Sequence, residues 1–447
     1  MPRWTEKELA GWGRVYRARS TAARPERLSE LKSVFEDARS ETLLAYGAGR
    51  SYGDAALNSG GRSVIMSRLD RFLEFDPGSG TLIAEPGATF SDVISTFLPR
   101  GYMLPVAPGT GFATLGGGVA NDVHGKNHHQ VGSLGQHLEW FDLHLPSGEI
   151  RRVEPERDAS LFKATVGGVG LTGIIERLCL RLKPVSSNAV TVRKRRVRDL
   201  DHFLEAFTEE QDRAEYVVGW IDALAKGRHM GRGILEAASP SPEGVDPTPR
   251  RSKRVPLDFP GFALNSISVR AFNQVYYGRV PSGGIEKRLP YQAFLFPLDA
   301  IHDWNRIYGK RGFHQFQCLV PFEGGRAALL NMLELIAKSG RGSFLAVLKA
   351  MGQAGVGYLS FPRPGYTLAL DFPNASGVKE LIAQLERITC DHGGCTYLAK
   401  DSTLSPELLR EMYPDLGKYQ TVLTEIDPGG RMHSDLAHRL GLRSGRG

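Results

Sequence analysis

At 447 residues, with 41% hydrophobic and 23% charged side chains, the chain has the make-up of a globular protein large enough for two domains. A net charge of +7 is modest at this length, and no basic stripe interleaved with aromatics runs along the chain, which excludes a general nucleic-acid binder. The densest basic run, TPRRSKR at 248–254, sits in the proline-rich polar stretch 238–256 and reads as a solvated, mobile loop.

The N-terminal MPRWTEKELAGWGR lacks the apolar core of a signal peptide, and no apolar run reaches the length of a membrane span. Cys179, Cys318, Cys390 and Cys395 form no CxxC pair, so neither a zinc knuckle nor a thioredoxin motif is available. These features imply a cytoplasmic protein, with any membrane contact peripheral and at the inner face.

In chain order, TLLAYG (42–47), SVIM (63–66) and TLIAEPG (81–87) read as short strands closed by turns. FSDVISTFLPRG (90–101) reads as a helix capped by Thr89 or Ser91 and stopped by Gly101. HLEWFDLHLPSGEIRRV (137–153) is a hairpin about Pro146-Ser147-Gly148, and GLTGIIERLCLRLKPV (170–185) a long strand. From about 186 glycine thins out. The alternation in YVVGWID (216–222) and YTLALDF (366–372) implies a broad, largely antiparallel sheet, flanked by amphipathic helices at 327–340 and 376–394 that each end at glycine. The expected class is α+β.

Three glycine loops punctuate the first half: AYGAGRSYGD (45–54), PVAPGTGFATLGGGVANDVHG (105–125) and GGVGLTG (167–173). The first has the spacing GxGxxxG with no periodic helix after it, which argues against a nicotinamide Rossmann unit. Gly125-Lys126 is followed by Asn127, so there is no P-loop either. Glycine lets backbone N–H groups approach an anion closely, and three such loops, poor in charge, suggest a cradle for one long phosphate-bearing cofactor. VHGKNHH (123–129) crowds three histidines beside the second loop. A zinc site would need His124 and His128 on one helical face plus a third ligand, and Gly125 disfavours that helix, so no metal is expected.

AGRSYGD, PGT, TLGGGVANDVHGKNHH and ATVGGVGLTGII together resemble the FAD-binding domain of the vanillyl-alcohol-oxidase (PCMH-type) class of flavoproteins. Within it, RSYGD with HGKNHH, and then DWNRIYG, FHQFQ, LSFPRPGY and YLAKDS in order, resemble the decaprenylphosphoryl-β-D-ribose 2-oxidase family along nearly the whole chain. The resemblance implies a two-subdomain FAD-binding domain at 1–185, a substrate domain with a large antiparallel sheet at 186–394, and a return to the first domain at 395–447. It puts Gly47, Ala48, Gly49, Arg50, Ser51, Tyr52, Gly53 and Asp54 on the FAD phosphates and ribose. Gly109, Thr114, Leu115, Gly116 and Gly117 form the second wall of that cradle, and Asn121, Asp122, Val123 and His124 pass beneath the flavin. Ile175 would meet the adenine side and Tyr397 the flavin side. Because GRSYGD offers no histidine or cysteine, the FAD is expected to be non-covalent.

The implied reaction is oxidation of the C2 hydroxyl of a polyprenylphosphoryl-ribose, the first half of an epimerisation to the arabinose donor used in glycan biosynthesis. A separate NAD(P)H-dependent short-chain reductase would complete it. Lys400 is the first candidate to receive the hydroxyl proton, provided burial or neighbouring cations lower its pKa. His124 is the second catalytic candidate. Lys126, Lys349, Gln315, Gln317, Trp220 and Thr367 are substrate-contact candidates, the two glutamines sharing a strand face because they lie two apart. His128 and His129 read as supporting residues. Where well-known members carry a cysteine beside the flavin and an asparagine two residues before it, this chain has Ala369 and Thr367; Leu295, between Phe294 and Phe296, stands in place of a pocket tyrosine. The alternatives are a soluble sugar, alditol or aldonolactone oxidase of the same class, and a carbohydrate- or membrane-binding protein without flavin.

Overall fold

The structure, a computed structural model, describes residues 3–246, 252–261, 264–342 and 344–443. Arg250 and Arg251 of the basic run therefore lie outside the described residues. Among these residues no helix is long and apolar enough to cross a membrane.

Three sheets carry the fold, and their order explains how distant glycine loops meet. A four-stranded sheet runs Thr5–Ala10, Arg17–Ala23, Arg62–Ile65, Leu43–Tyr46, its first pairing antiparallel and the other two parallel. A five-stranded antiparallel sheet runs Phe72–Asp76, Thr81–Ala84, Ile174–Arg181, Leu138–His144, Ile150–Val153. The largest has eight strands, all paired antiparallel: Ile285–Pro290, Ala189–Val197, Gly233–Pro240, Tyr216–Ile221, Ala346–Met351, Gly365–Pro373, Phe313–Val320, Cys395–Thr396. This is the α+β architecture expected from the change in sequence texture at 186.

Period-two alternation divides the large sheet cleanly. Phe316, Cys318, Leu348, Leu368 and Leu370 point into a core shared with the helices Leu200–Glu210, Phe322–Ser339 and Val378–Asp391. The intervening residues face the glycine-loop half of the molecule. There, Phe90, Leu143 and Leu178 share a second core with Tyr291, Phe294, Leu319 and the C-terminal residues Leu398, Tyr419 and Leu440.

Local signals hold where they are strong. Thr89 accepts from Asp92 N and Asp92 accepts from Thr89 N, both at 3.1 Å, closing a capping box on the helix Phe90–Phe97. Gly101 ends that segment at φ +82°, where only glycine is at ease. The run LGGGVA, part of the second glycine loop, forms a short helix, Leu115–Ala120, capped by Thr114. Glycine's poor helix propensity is overridden by packing: a Cβ at Gly116 would sit 2.7 Å from Pro86 Cβ, and one at Gly118 2.7 Å from Phe90 Cζ.

The C-terminal segment is tied to the first glycine loop by charge as well as by packing. Arg439 donates to both carboxylate oxygens of Asp54 and to Asp401 Oδ2, each at 2.8 Å. Tyr52 N donates to the Ala399 carbonyl at 3.0 Å, and a Cβ on Gly53 would lie 1.9 Å from the Asp401 carbonyl oxygen. Replacing Arg439 by alanine strands two buried carboxylates, and is expected to cost about 3–5 kcal/mol in urea-induced unfolding. A loss below about 1 kcal/mol would show that the clasp contributes only what an exposed pair does.

Candidate active site

The first and second glycine loops face each other across a seam. A Cβ on Gly47 would come within 2.6 Å of Thr114 Oγ1, so only glycine allows the approach, and Gly49 adopts φ +61° beside the Tyr46 hydroxyl. Ala48 and Gly109 are exposed at this seam, Gly116 and Gly117 are half-buried, and a Cβ on Gly109 would meet nothing within 4 Å. Arg50 lies over the Trp12 ring at 4.1 Å and the Phe112 ring at 5.0 Å, which brings the GWGR segment and both loops together. Its Nε is buried with no hydrogen-bond partner, as is Asn121 Oδ1. A lined seam with open glycine backbone and an unpartnered guanidinium N–H suits an anionic, phosphate-bearing group, so these residues fit the FAD expected there.

The side of the large sheet that faces this seam carries the polar candidates. Lys349 is paired across the ladder with Thr367, Gln317 with Ala369, and Gln315 with Asp371; Trp220 is opposite Val347. Trp220 anchors its ring by donating Nε1–H to the Phe344 carbonyl at 2.8 Å. His124, buried, brings the histidine block onto this surface. Lys349 Nζ lies 3.0 Å from its Nδ1, and the Gln317 amide lies 3.2 Å from its Nε2 and 3.3 Å from Thr367 Oγ1. Burial, with Lys349 close by, holds His124 well below its ordinary pKa, so the imidazole is neutral.

Three half-buried lysines converge here, each in surroundings that disfavour its charged form. Burial lowers Lys400 and Lys349 to about 7, with Lys126 and Lys400 adding repulsion at Lys349. Lys126, lowered by burial to about 8, donates to the Phe294 carbonyl at 2.6 Å and sits 4.1 Å over the Phe294 ring. Lys400 lies 3.8 Å over the Tyr52 ring. Leu295, in the position expected for a pocket tyrosine, is buried as plain core beside Phe294.

The sequence reading missed Asp371, fully buried on the same sheet face. It accepts from Gln315 Nε2 at 2.6 Å and from the Tyr308 hydroxyl at 3.0 Å. Burial raises its pKa to about 7, against the pull of those donors and of Lys400. Its alternation with Thr367 and Ala369 in YTLALDF is the one signal that could have found it.

Other expected contacts are turned elsewhere. The Asp54 carboxylate is taken by Arg439, and Asp122 accepts from Ser133 Oγ at 2.9 Å, Gly135 N at 2.9 Å and Ser360 Oγ at 2.6 Å. Buried carboxylates need such donors, and neither is left free to meet a ribose or a flavin. The Tyr52 ring lies under Lys400 instead of facing a phosphate. Ser51 and Gly53 receive the N-terminal segment, Trp12 N donating to the Ser51 carbonyl at 2.7 Å and the Gly11 Cα packing on Gly53. Ile175 is packed in the five-stranded sheet opposite Leu143, and Leu115 is buried in the same core. Val123 is half-buried, its carbonyl accepting from Leu134 N at 2.9 Å. Tyr397 donates to the Asn121 carbonyl at 2.8 Å and stacks on Phe361, with His124 5.6 Å away. His128 Nδ1 accepts from Gly352 N at 3.0 Å, and His129 Nε2 meets the Ala214 carbonyl at 3.1 Å, so both bind the block to the large sheet. Gly47→Val would fill the seam, and the purified variant is expected to lose the flavin absorbance of the wild type while keeping its far-UV circular dichroism.

Comparison with known proteins agrees with this geometry. Residues 20–154 match the model of a family described as FAD binding domain. The decaprenylphosphoryl-β-D-ribose oxidase of Mycolicibacterium smegmatis is 34% identical over 458 residues, covering 98% of each chain. An uncharacterized Streptomyces coelicolor protein is 32% identical over 77% of this chain and 97% of its own. The L-gulono-1,4-lactone dehydrogenase of Mycobacterium tuberculosis is 22% identical over 95% of this chain and 96% of its own. Full-length similarity to FAD-linked oxidoreductases sets aside the reading of a flavin-less binding protein. The chain is an FAD-dependent oxidoreductase and belongs to the decaprenylphosphoryl-β-D-ribose oxidase family.

Proposed function

We propose that the protein oxidises the C2 hydroxyl of a polyprenylphosphoryl-β-D-ribose to the 2-keto sugar. The observation that carries this reading is the excess of positive charge on half-buried side chains. Lys126, Lys349 and Lys400 meet in one site whose nearby carboxylates among the described residues are Asp371 and Glu236, the latter paired with Lys194. Desolvated ammonium groups are costly without a counter-charge, and a phosphoryl group supplies one. A neutral lactone or free alditol does not, which favours the phosphorylated sugar over the aldonolactone reading.

FAD, held by the seam of glycine loops and bound without a covalent link, supplies the two-electron acceptor for the C2–H bond pair. The chain's own residues handle the rest. Lys400, neutral in part at physiological pH, takes the hydroxyl proton, and the charge of the nearby Asp371 carboxylate favours the ammonium form that results. Gln315, its amide N–H given to Asp371, has an amide oxygen that can accept from a sugar hydroxyl. Lys126 and Lys349 hold the phosphoryl oxygens, Trp220 flanks the sugar, and Gln317 with Thr367 orients the neutral His124. The 2-keto product then passes to a separate NAD(P)H-dependent short-chain reductase.

Polyprenylphosphoryl ribose is expected to bleach the flavin anaerobically; bleaching by aldonolactones but not by this lipid would overturn the reading. Lys400→Ala is expected to keep FAD and lose turnover by about a hundred- to ten-thousandfold. The rate of flavin reduction should rise with pH through about 7 and then level, because the ammonium form of Lys400 cannot accept a proton and the neutral amine can. Lys349→Met should raise KM for the phosphorylated substrate more than it lowers kcat.

A further inference from the structure

The helix Ser266–Gly278 keeps large apolar residues on its outward side. Its inward side mixes Val269, buried in the core of the large sheet, with polar and aromatic groups. Buried Asn273 donates to Asp222 Oδ1 at 2.7 Å, Arg270 donates to the Leu224 carbonyl at 2.7 Å, and Tyr276 packs on Trp220 with ring centroids 4.7 Å apart. Its outward side shows Ile267, 79% exposed, then Ala271 and Val275, 69% exposed, at successive steps of four, with Phe272 beside them at 42%. A helix facing water carries its charged residues there instead.

The apolar exposure is concentrated. Five of the eight strongly exposed large apolar side chains among the described residues fall between 257 and 275: Leu257, Phe259, Ile267, Phe272 and Val275. Leu264, just before the helix, packs into the small cluster of Trp304, Tyr308 and Leu345, which fixes the segment against the body of the protein. Scattered apolar side chains need no explanation, but a cluster on one surface element does.

Exposed basic residues border this surface: Lys226 and Arg228 in the turn after Leu224, Lys253 and Arg254 ahead of Leu257, and Arg279 after the helix. The nearby acids are engaged, Asp222 by Arg232, Asp258 by Arg14 and Asp303 by Arg254. An apolar face with a cationic border matches the headgroup and acyl boundary of an anionic bilayer. A second copy of the chain would bring the same cations against them.

We propose that the outward face of the Ser266–Gly278 helix, with Leu257 and Phe259, docks on an anionic lipid bilayer. Its purpose rests on the lipid-linked substrate proposed above: Trp220, on the site-facing side of the large sheet, is backed by Tyr276 of this helix, so docking sets the active site one helix layer from the membrane. The docking itself needs no substrate.

The test uses the full-length, FAD-loaded protein and flotation with vesicles of phosphatidylcholine containing about a quarter phosphatidylglycerol. Wild type is expected to float with these vesicles, and less so in high salt. The double variant Ile267→Glu/Val275→Glu should lower the bound fraction about tenfold with an unchanged flavin spectrum and melting temperature. Leu73→Glu, an apolar exposure elsewhere, should float as wild type. Wild type that stays unbound, a double variant that floats as well as wild type, or a double variant that turns a dimer into a monomer by light scattering would overturn the proposal. These vesicles hold no sugar lipid, so a failure here leaves the oxidation reading standing, and failure of the flavin-bleaching assay leaves this one.

Discussion

Three half-buried lysines gathered against one face of one sheet set the terms for this molecule. Lys126, Lys349 and Lys400 come from three separated parts of the chain, and each is brought to a place where its charged form is penalised. The surroundings answer that penalty with graded neutralisation. The Phe294 carbonyl and ring meet Lys126, a neutral imidazole meets Lys349, and the Tyr52 ring and Asp371, its pKa raised by burial, lie near Lys400. Poise follows from this. Two lysines and a carboxylate titrate near neutrality, where a proton can be taken up or released at little cost.

That arrangement needs the large sheet and the glycine loops to stay in register with one another, and several long-range contacts hold them. Arg439 bridges Asp54 and Asp401, so the loop that begins the seam and the loop that carries Lys400 move as one. Asp122 gathers Ser133 and Ser360 beneath the histidine block, and His128 and His129 fasten that block to strands of the sheet. The three carboxylates in these networks, at 54, 122 and 401, serve the fold, whereas Asp371, held by Gln315 and Tyr308, faces the reaction site.

Much of this was legible beforehand. Strands and helices with strong periodicity, the capping box at Thr89 and the glycine stops at Gly101 and Gly340 act through neighbours in sequence, so reading them needs no partner from elsewhere. Gln315 and Gln317 shared a face because the strand period is two. The helix Leu115–Ala120 was not legible, since its glycines are explained by Pro86 and Phe90 pressing against them. Asp54, Asp122 and Tyr52 look like cofactor contacts in their motif, yet their side chains are claimed by Arg439, by two serines and by Lys400. Asp371 was overlooked because a lone aspartate in a strand carries no mark until its burial is known.

The sequence by itself determined the α+β class, the three glycine loops and the family, because local periodicity, backbone freedom and a run of ordered motifs are written residue by residue. Only the tertiary structure decided which charges meet. Lys400 becomes a titrating amine near Asp371, and Arg439 the clasp between Asp54 and Asp401, through desolvation and proximity, and both depend on where the rest of the chain lies. The same holds for the Ser266–Gly278 helix, whose apolar residues would read as core until the fold turned them outward.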